Sequence, residues 1–135
     1  MLISGRQGWF MEDQWQLPQE EAYSKEQNRM EAQAFVPADS IWFSGHFPGD
    51  PILPGIALIH LVWQAIVREA GNRKEKISLE SLKKVRFAKL VRPGENLSII
   101  VTENPSAEET LYSFKVSARE TVVCTGLIVA KSKDK

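Results

Sequence analysis

His46 and the residues after it form the part of this chain best suited to catalysis. Residues 45–55 contain His46 with three prolines and three glycines, which fix the backbone of a loop. Gly55 and Ile56 then begin an apolar stretch, and the first amides of a helix lack acceptors within it and lie at the positive end of its dipole. An imidazole beside such amides can remove a proton next to a thioester carbonyl while they stabilise the enolate oxygen. This is chemistry for an elimination or a hydration.

Each of these residues also has a plainer interpretation. A lone histidine such as His46 more often hydrogen-bonds its own loop than acts as a base. Asp50 is an alternative carboxylate, but Pro-Gly-Asp-Pro is ordinary turn chemistry, which we favour. Gly55 is expected to let a substrate carbonyl approach the helix amides, because it has no side chain to block that approach.

A buried helix is predicted directly after this loop, over Gly55–Ala70. Pro54 suits a helix start, and residues 71–72, Gly-Asn, suit positions beyond a helix end. Apart from His60 and Gln64, the first three turns are apolar, so we expect the helix to be buried on nearly all sides. Gln64 follows His60 by one turn on the same face of the helix. Its amide either orients the imidazole or a water molecule, or it is a buried amide that hydrogen-bonds to the backbone.

Strands are predicted on both sides of the helix. Apolar and polar residues alternate over 9–17 and 30–36, with a polar stretch at 19–28 between them and a loop at 38–53 after them. Four further strand-like runs are separated by turn residues; they span 78–87, 96–103, 110–118 and 121–130. One apolar helix needs a surface that wraps it, so we expect an α+β fold with an antiparallel sheet curled around a central helix.

Length, charge and cysteine content narrow the class of protein. The 135 residues, 43% of them hydrophobic, suffice for one domain spanning 1–135. The 17 basic and 17 acidic residues give no net charge, which argues against nucleic acid or a membrane surface as partner. No run approaches the roughly 18 apolar residues of a membrane span, and residues 1–8 lack a signal pattern, so we expect a cytoplasmic protein. Cys124, the single cysteine, excludes an internal disulfide and is predicted to be a packed thiol.

Two motifs resemble a known family. Residues 45–55 read Gly-His-Phe-Pro-Gly-Asp-Pro-Ile-Leu-Pro-Gly, and with Trp63 and Gln64 later in the helix they resemble the signature of the 3-hydroxyacyl-acyl-carrier-protein dehydratases. Residues 87–97, which include Pro-Gly-Glu, are similar to the family's strand and Pro-Gly-acidic turn. The similarity spans residues 36–97, and it implies the hot-dog fold, in agreement with a sheet wrapped around a helix.

The resemblance also implies roles for particular residues. His46 would be the catalytic histidine, and the Gly55 amide would bind the thioester carbonyl of a 3-hydroxyacyl chain on a phosphopantetheine arm. The partners implied are an acyl carrier protein or a coenzyme A thioester. Because the family builds its site across a dimer, we expect a homodimer or a trimer of dimers. We predict no cofactor and no metal, since His46, His60 and Asp50 make a poor zinc site.

His60 departs from the family pattern. The family places a Glu or Asp fourteen residues after the histidine to handle the leaving hydroxyl, and that position here is His60. Three interpretations remain. His60 replaces the carboxylic acid as proton donor, since two neighbouring imidazoles resist double protonation and so divide into acid and base. Alternatively the protein binds acyl groups without dehydrating them, or His60 is a satisfied core histidine.

Further residues are expected to contact substrate or carrier. The candidate substrate-binding residues are Trp42, Phe47, Pro54, Ile56 and Gln64, although aromatic residues at this spacing are often simply core. The candidate docking residues for an acidic carrier protein are Lys84, Arg86, Lys89 and Arg92, with a solvated strand face as the alternative.

The function predicted from the sequence is dehydration of 3-hydroxyacyl thioesters to trans-2-enoyl thioesters. The alternatives are a hot-dog thioesterase and a non-catalytic acyl-binding or partner subunit. Residues 1–30 do not match the start of the commonest dehydratases, which is compatible with a specialised acyl-chain pathway.

Overall fold

A computed structural model of the chain describes residues 20–24, 27–36, 53 and 55–133. Within these residues there are six strands and one helix, in the order β1 (Glu20–Ser24), β2 (Arg29–Phe35), α1 (Gly55–Asn72), β3 (Ile77–Phe87), β4 (Asn96–Pro105), β5 (Thr110–Ala118) and β6 (Thr121–Ser132). The strands form one antiparallel sheet in the order β1-β2-β4-β5-β6-β3. The predicted α+β arrangement of an antiparallel sheet with one helix is confirmed.

The core lies between the helix and one face of the sheet. Alternate residues of β2, β4 and β5 are buried, as the period of two along a strand requires. The helix contributes eight buried residues to this core: Ala57, Leu58, Ile59, Leu61, Val62, Ala65, Ile66 and Ala70. Complete burial of one Leu, Ile or Val side chain stabilises a fold by about 1.5–3 kcal/mol, so this interface holds the helix in place.

The predicted strands are confirmed except at the N-terminal side. The runs at 30–36, 78–87, 96–103, 110–118 and 121–130 correspond to β2, β3, β4, β5 and β6. The polar stretch 19–28 was expected to separate two strands, and this is wrong, because it contains β1, which pairs with β2 at the edge of the sheet. The strand predicted at 9–17 lies outside the described residues, so the extent of a single domain over 1–135 stays a prediction.

The helix ends later than its sequence indicates. Gly71 and Asn72 belong to its last turn, and Lys74 adopts the left-handed conformation, with a φ of 62°, that a glycine usually takes after a helix. The Glu75 amide then donates to the Ala70 carbonyl over 2.8 Å, which satisfies one of the last helical acceptors. This capping arrangement uses no glycine after the helix. The prediction from Gly71 and Asn72 therefore ended the helix two residues too early.

The helix is not buried on all sides within one chain. Ile56 is 59% exposed and Val67 is 41% exposed, whereas His60 and Trp63 are partly buried. These four residues recur at the spacing of one helical face, and we name them the open stripe. The expectation of burial on nearly all sides is therefore wrong for the single chain, because the sheet covers only part of the helix.

Strand β3 is the other incompletely covered element. It lies at an edge of the sheet, and its pairing with β6 is shifted in register between Leu79 and Ser81 and again between Lys83 and Arg86. Such bulges bend an edge strand. Leu79, Leu82 and Phe87 are exposed along it, which leaves apolar surface on a strand at the edge of the described sheet.

Cys124 lies in the core, as predicted, and is fully buried. Its burial disfavours the thiolate and raises the pKa of the thiol to about 11. Among the described residues, no helix is both long enough and apolar enough to cross a membrane.

Candidate active site at the start of the helix

Gly55 begins α1, so its amide is among those that find no acceptor within the helix. The space beside its Cα is filled by the ring of Phe87. A Cβ atom added to Gly55 would lie 2.7 Å from both Cε1 and Cζ of that ring. The expectation that this position is a glycine in order to admit a substrate is therefore incomplete, because the Phe87 ring, where it stands, leaves no room for a side chain on residue 55.

The Phe87 ring lies beside the Gly55 amide. In a helix the Cα–Cβ bond tilts toward the N-terminus, which is also the direction of the first unpaired N–H groups. A ring that occupies the Cβ position of Gly55 therefore flanks any acceptor bound to its amide. Phe87 was not predicted to be a site residue, although it stands at the start of the second family motif.

His60 lies five residues into the helix from Gly55, about 7.5 Å further along the axis at 1.5 Å per residue. Its side chain is partly buried, and its Nε2 atom is buried. Gln64 follows one turn later and is also partly buried, whereas Ile56 is exposed. His60 and Ile56 belong to the open stripe, so the residues expected to act on substrate lie on the helix face that the sheet leaves uncovered.

The second motif holds the backbone before and within the first one, at Val36 and at Leu53. The Val36 amide donates to the Glu95 carbonyl over 2.9 Å, and the Gly94 amide donates to the Val36 carbonyl over 2.8 Å. The Leu53 amide donates to the Val91 carbonyl over 2.8 Å. Val36, Leu53 and Val91 are all buried. We name these bonds the clamp, since they fix the backbone on both sides of residues 37–52, the segment that contains His46.

The turn at residues 91–95 is closed by its own acidic residue. The Arg92 amide donates to Oε1 of Glu95 over 2.9 Å, and Gly94 has a φ of 88°. A carboxylate acceptor at this point shapes the turn, and a positive φ favours glycine. The Pro-Gly-acidic pattern of the second motif therefore has a structural reason, which sequence spacing alone did not reveal.

Four predicted site residues and Asp50 lie outside the described residues. They are Trp42, His46, Phe47 and Pro54, and their roles stay predictions. Of the remaining candidates at this end of the molecule, Gly55, Ile56, His60 and Gln64 lie on one helix. Within the part of the chain that the structure describes, no three His, Cys, Asp or Glu side chains are grouped as metal ligands.

The four basic candidates for carrier docking are divided between two places. Lys84 and Arg86 line an open groove of about 600 Å³ together with Lys115 of β5, on the sheet face opposite the helix. Lys89 and Arg92 are exposed in the segment after β3 and do not line this groove. The four candidate docking residues therefore do not all line one groove.

Comparison with known proteins gives a consistent result. The model of the ApeI-like family, described as ApeI dehydratase, matches residues 22–127. The 3-hydroxyacyl-[acyl-carrier-protein] dehydratase FabZ of Levilactobacillus brevis is 35% identical over an alignment of 103 residues, and the match covers 70% of this chain and 69% of that protein. The FabZ of Chlamydia caviae is 31% identical over 115 residues, 81% of this chain and 71% of that one.

A solved structure agrees with these sequence matches. A chain of the dehydratase heterocomplex ApeI:P from Xenorhabdus doucetiae is similar with a TM-score of 0.67 and 25% identity, covering 84% of this chain and 97% of that chain. The hot-dog fold expected from the sequence is confirmed.

Proposed function

Because this chain belongs to the ApeI-like family of FabZ-related dehydratases, we propose that it removes water from 3-hydroxyacyl thioesters to give trans-2-enoyl thioesters. The acyl group would be carried on the phosphopantetheine arm of an acyl carrier protein or of coenzyme A, in fatty-acid or related acyl-chain biosynthesis in the cytoplasm. The observation that carries this proposal is the start of α1. There an amide of Gly55 lacks a helical acceptor, five residues before a histidine at the position of the family's carboxylate.

In this reaction the proton on the α-carbon passes to His46, and the electron pair moves toward the thioester carbonyl. The oxygen gains negative charge and accepts a hydrogen bond from the Gly55 amide. The enolate then forms the double bond between the α- and β-carbons while the bond from the β-carbon to the hydroxyl breaks. His60, as the imidazolium, donates the proton with which the hydroxyl leaves as water.

His60 suits the acid role for a chemical reason. An imidazolium donates a proton and becomes neutral, so it delivers to the leaving hydroxyl what a carboxylic acid delivers in the family pattern. The burial of its Nε2 atom supports a role away from bulk water. Over one turnover His46 gains one proton and His60 loses one. Proton exchange with solvent then returns His46 to the neutral imidazole and His60 to the imidazolium.

We further propose that the chain acts as a homodimer, or as a larger assembly of dimers. Two surfaces support this proposal: the open stripe on the helix and the exposed leucines of β3, Leu79 and Leu82. A second copy would cover both surfaces, and His46 of one copy would then face the helix of the other. Lys84, Arg86, Lys89 and Arg92 remain the proposed contacts for an acidic carrier protein, and their positive charge supports that role.

The experiment that tests this function follows hydration of a trans-2-enoyl thioester by the loss of enone absorbance. Wild type should turn over, and His46→Ala and His60→Ala should each lower kcat by about 10²-fold or more, the usual contribution of general acid–base groups. Asn72→Ala is the matched control, since Asn72 is exposed in the last turn of the same helix, and it should keep full activity. Free-thiol release without hydration would instead indicate a thioesterase.

A second candidate is a non-catalytic partner subunit that stabilises a catalytic relative. It is favoured by the missing carboxylate at His60 and by the similarity to a chain of a heterocomplex of dehydratases. Under this alternative wild type is silent with both carrier-protein and coenzyme A thioesters, and His60→Glu gains activity. Activity in wild type that both histidine variants lose would contradict it.

A further inference from the structure

Phe87 combines a position on the core side of the sheet with an exposed side chain. It ends β3 opposite Cys124, which is fully buried, so this position of the sheet belongs to the core side. Its own side chain is nevertheless 53% exposed. Its ring therefore contacts the protein on one side and leaves the other side open at the start of the helix.

The protein contact of the ring is Gly55. The ring atoms Cε1 and Cζ stand 2.7 Å, and Cε2 stands 3.1 Å, from the Cβ position of this glycine. Three ring atoms at such distances mean that the ring extends across the place of the missing side chain. Since this place is on the N-terminal side of the residue, the ring stands next to the direction in which the Gly55 N–H points.

We propose that Phe87 is a specificity-determining residue that selects acyl chains without a branch at the α-carbon. The inference rests on the proposed function, in which the Gly55 amide binds the thioester carbonyl. An oxygen bound at about 2.9 Å from the amide nitrogen brings the atoms bonded to its carbonyl carbon into van der Waals range of the ring. A methyl group on the α-carbon then competes with the ring for the same space.

The expected size of the selection follows from pocket energetics. One extra methylene in an apolar pocket changes kcat/KM by roughly 10–200-fold. We expect wild type to hydrate trans-2-butenoyl-pantetheine at least tenfold more efficiently than the 2-methyl-trans-2-butenoyl thioester. Phe87→Ala opens the space and should lower this ratio at least tenfold, through faster turnover of the branched substrate.

Two further variants make the test specific. Phe87→Leu keeps an apolar side chain without a flat ring, so it should fold normally and show an intermediate ratio. Leu90→Ala is the matched control, because Leu90 is a similarly exposed apolar residue in the segment after β3. It should leave the ratio at the wild-type value. Thermal unfolding of each variant accompanies the kinetics.

The outcomes separate this proposal from the proposed function. An active wild type whose ratio is unchanged in Phe87→Ala and Phe87→Leu overturns the role of Phe87 and leaves the dehydratase function standing. A silent wild type overturns the dehydratase function. Phe87 is then tested by the dissociation constants of butanoyl- and 2-methylbutanoyl-pantetheine, for which the same change of ratio is expected. Equal ratios in wild type and Phe87→Ala, or no binding of either probe, overturn the role of Phe87.

Discussion

Gly55 and Gly126 meet aromatic rings at nearly the same distance but in different surroundings. A Cβ on Gly55 would lie 2.7 Å from the Phe87 ring, and one on Gly126 would lie 2.8 Å from Cζ of Phe114. Phe87 is half exposed, so a displaced ring gives up only its contact with the start of the helix, whereas Phe114 is only 3% exposed and is packed on all sides. The same substitution therefore has different consequences at the two positions.

We expect Gly126→Ala to lower the free energy of unfolding by about 1–3 kcal/mol, the usual effect of overpacking a core. Gly55→Ala should cost less than Gly126→Ala, because the displaced Phe87 ring gives up only a half-exposed contact and alanine is a better helix former than glycine. Urea unfolding of both variants, with the slope m compared, measures the two values. Equal losses for the two variants would contradict the assigned difference between the two ring contacts.

Cys124 gives a prediction about reactivity. Its pKa of about 11 leaves only about one thiol in a thousand ionised at pH 8, and the thiolate is the reactive form. Native protein should resist a disulfide-exchange reagent at pH 8 and react fully once it is unfolded in urea. Burial raises the pKa of the thiol from 9.0 to about 11. Its contribution to the free energy of unfolding is therefore complete below pH 9 and is lost as the pH rises toward 11. Rapid labelling of the folded protein would contradict this account.

At the scale of elements, the clamp joins two segments that are far apart in sequence. Its turn depends on Gly94, whose φ is 88° and beside which there is open space. Gly71 also has open space beside it, but it lies in the last turn of the helix without a positive φ. The two glycines thus differ in backbone conformation and not in packing.

Gly94→Ala should lower the free energy of unfolding by about 1–2 kcal/mol, the cost of a left-handed conformation for a residue with a side chain. Gly71→Ala, the matched control, should raise it by about 0.5–1 kcal/mol because helix propensity improves. Chemical denaturation measures both signs. A Gly94→Ala variant as stable as wild type would mean that the turn relaxes and that the clamp does not depend on it.

Some elements were predictable from sequence for clear physical reasons. Strands β4 and β5 bury every second residue, so their alternation is visible in the sequence. Strand β1 was not predictable, because an edge strand with the sequence Glu-Glu-Ala-Tyr-Ser owes its place to backbone pairing with β2. The contact between Phe87 and Gly55 could not be predicted either, since it joins residues 32 positions apart in the sequence. The helix, by contrast, was predictable from its own apolar run and from Pro54 before it, and the role of His60 stays a prediction.

For the whole molecule, the open stripe of the helix and the exposed leucines of β3 predict association with a second copy of the chain. Leu82 is exposed on the edge strand β3, where a charged side chain would prevent close packing against a second copy. Wild type should sediment as a dimer or a larger assembly, and Leu82→Lys should shift it toward the monomer. Glu80→Lys introduces the same side chain on the same strand at an exposed polar position and serves as the control. Identical sedimentation of wild type and Leu82→Lys would contradict this interface.

The proposed dehydratase function is tested most directly by the intact mass of an acyl carrier protein loaded with a trans-2-butenoyl group and mixed with the wild-type enzyme. We expect a time-dependent gain of one water on the acyl group, and its reverse when the carrier starts with the 3-hydroxybutanoyl group. No change of mass in either direction, with the coenzyme A thioesters equally inert, would contradict a dehydratase and leave an acyl-binding partner subunit as the better account.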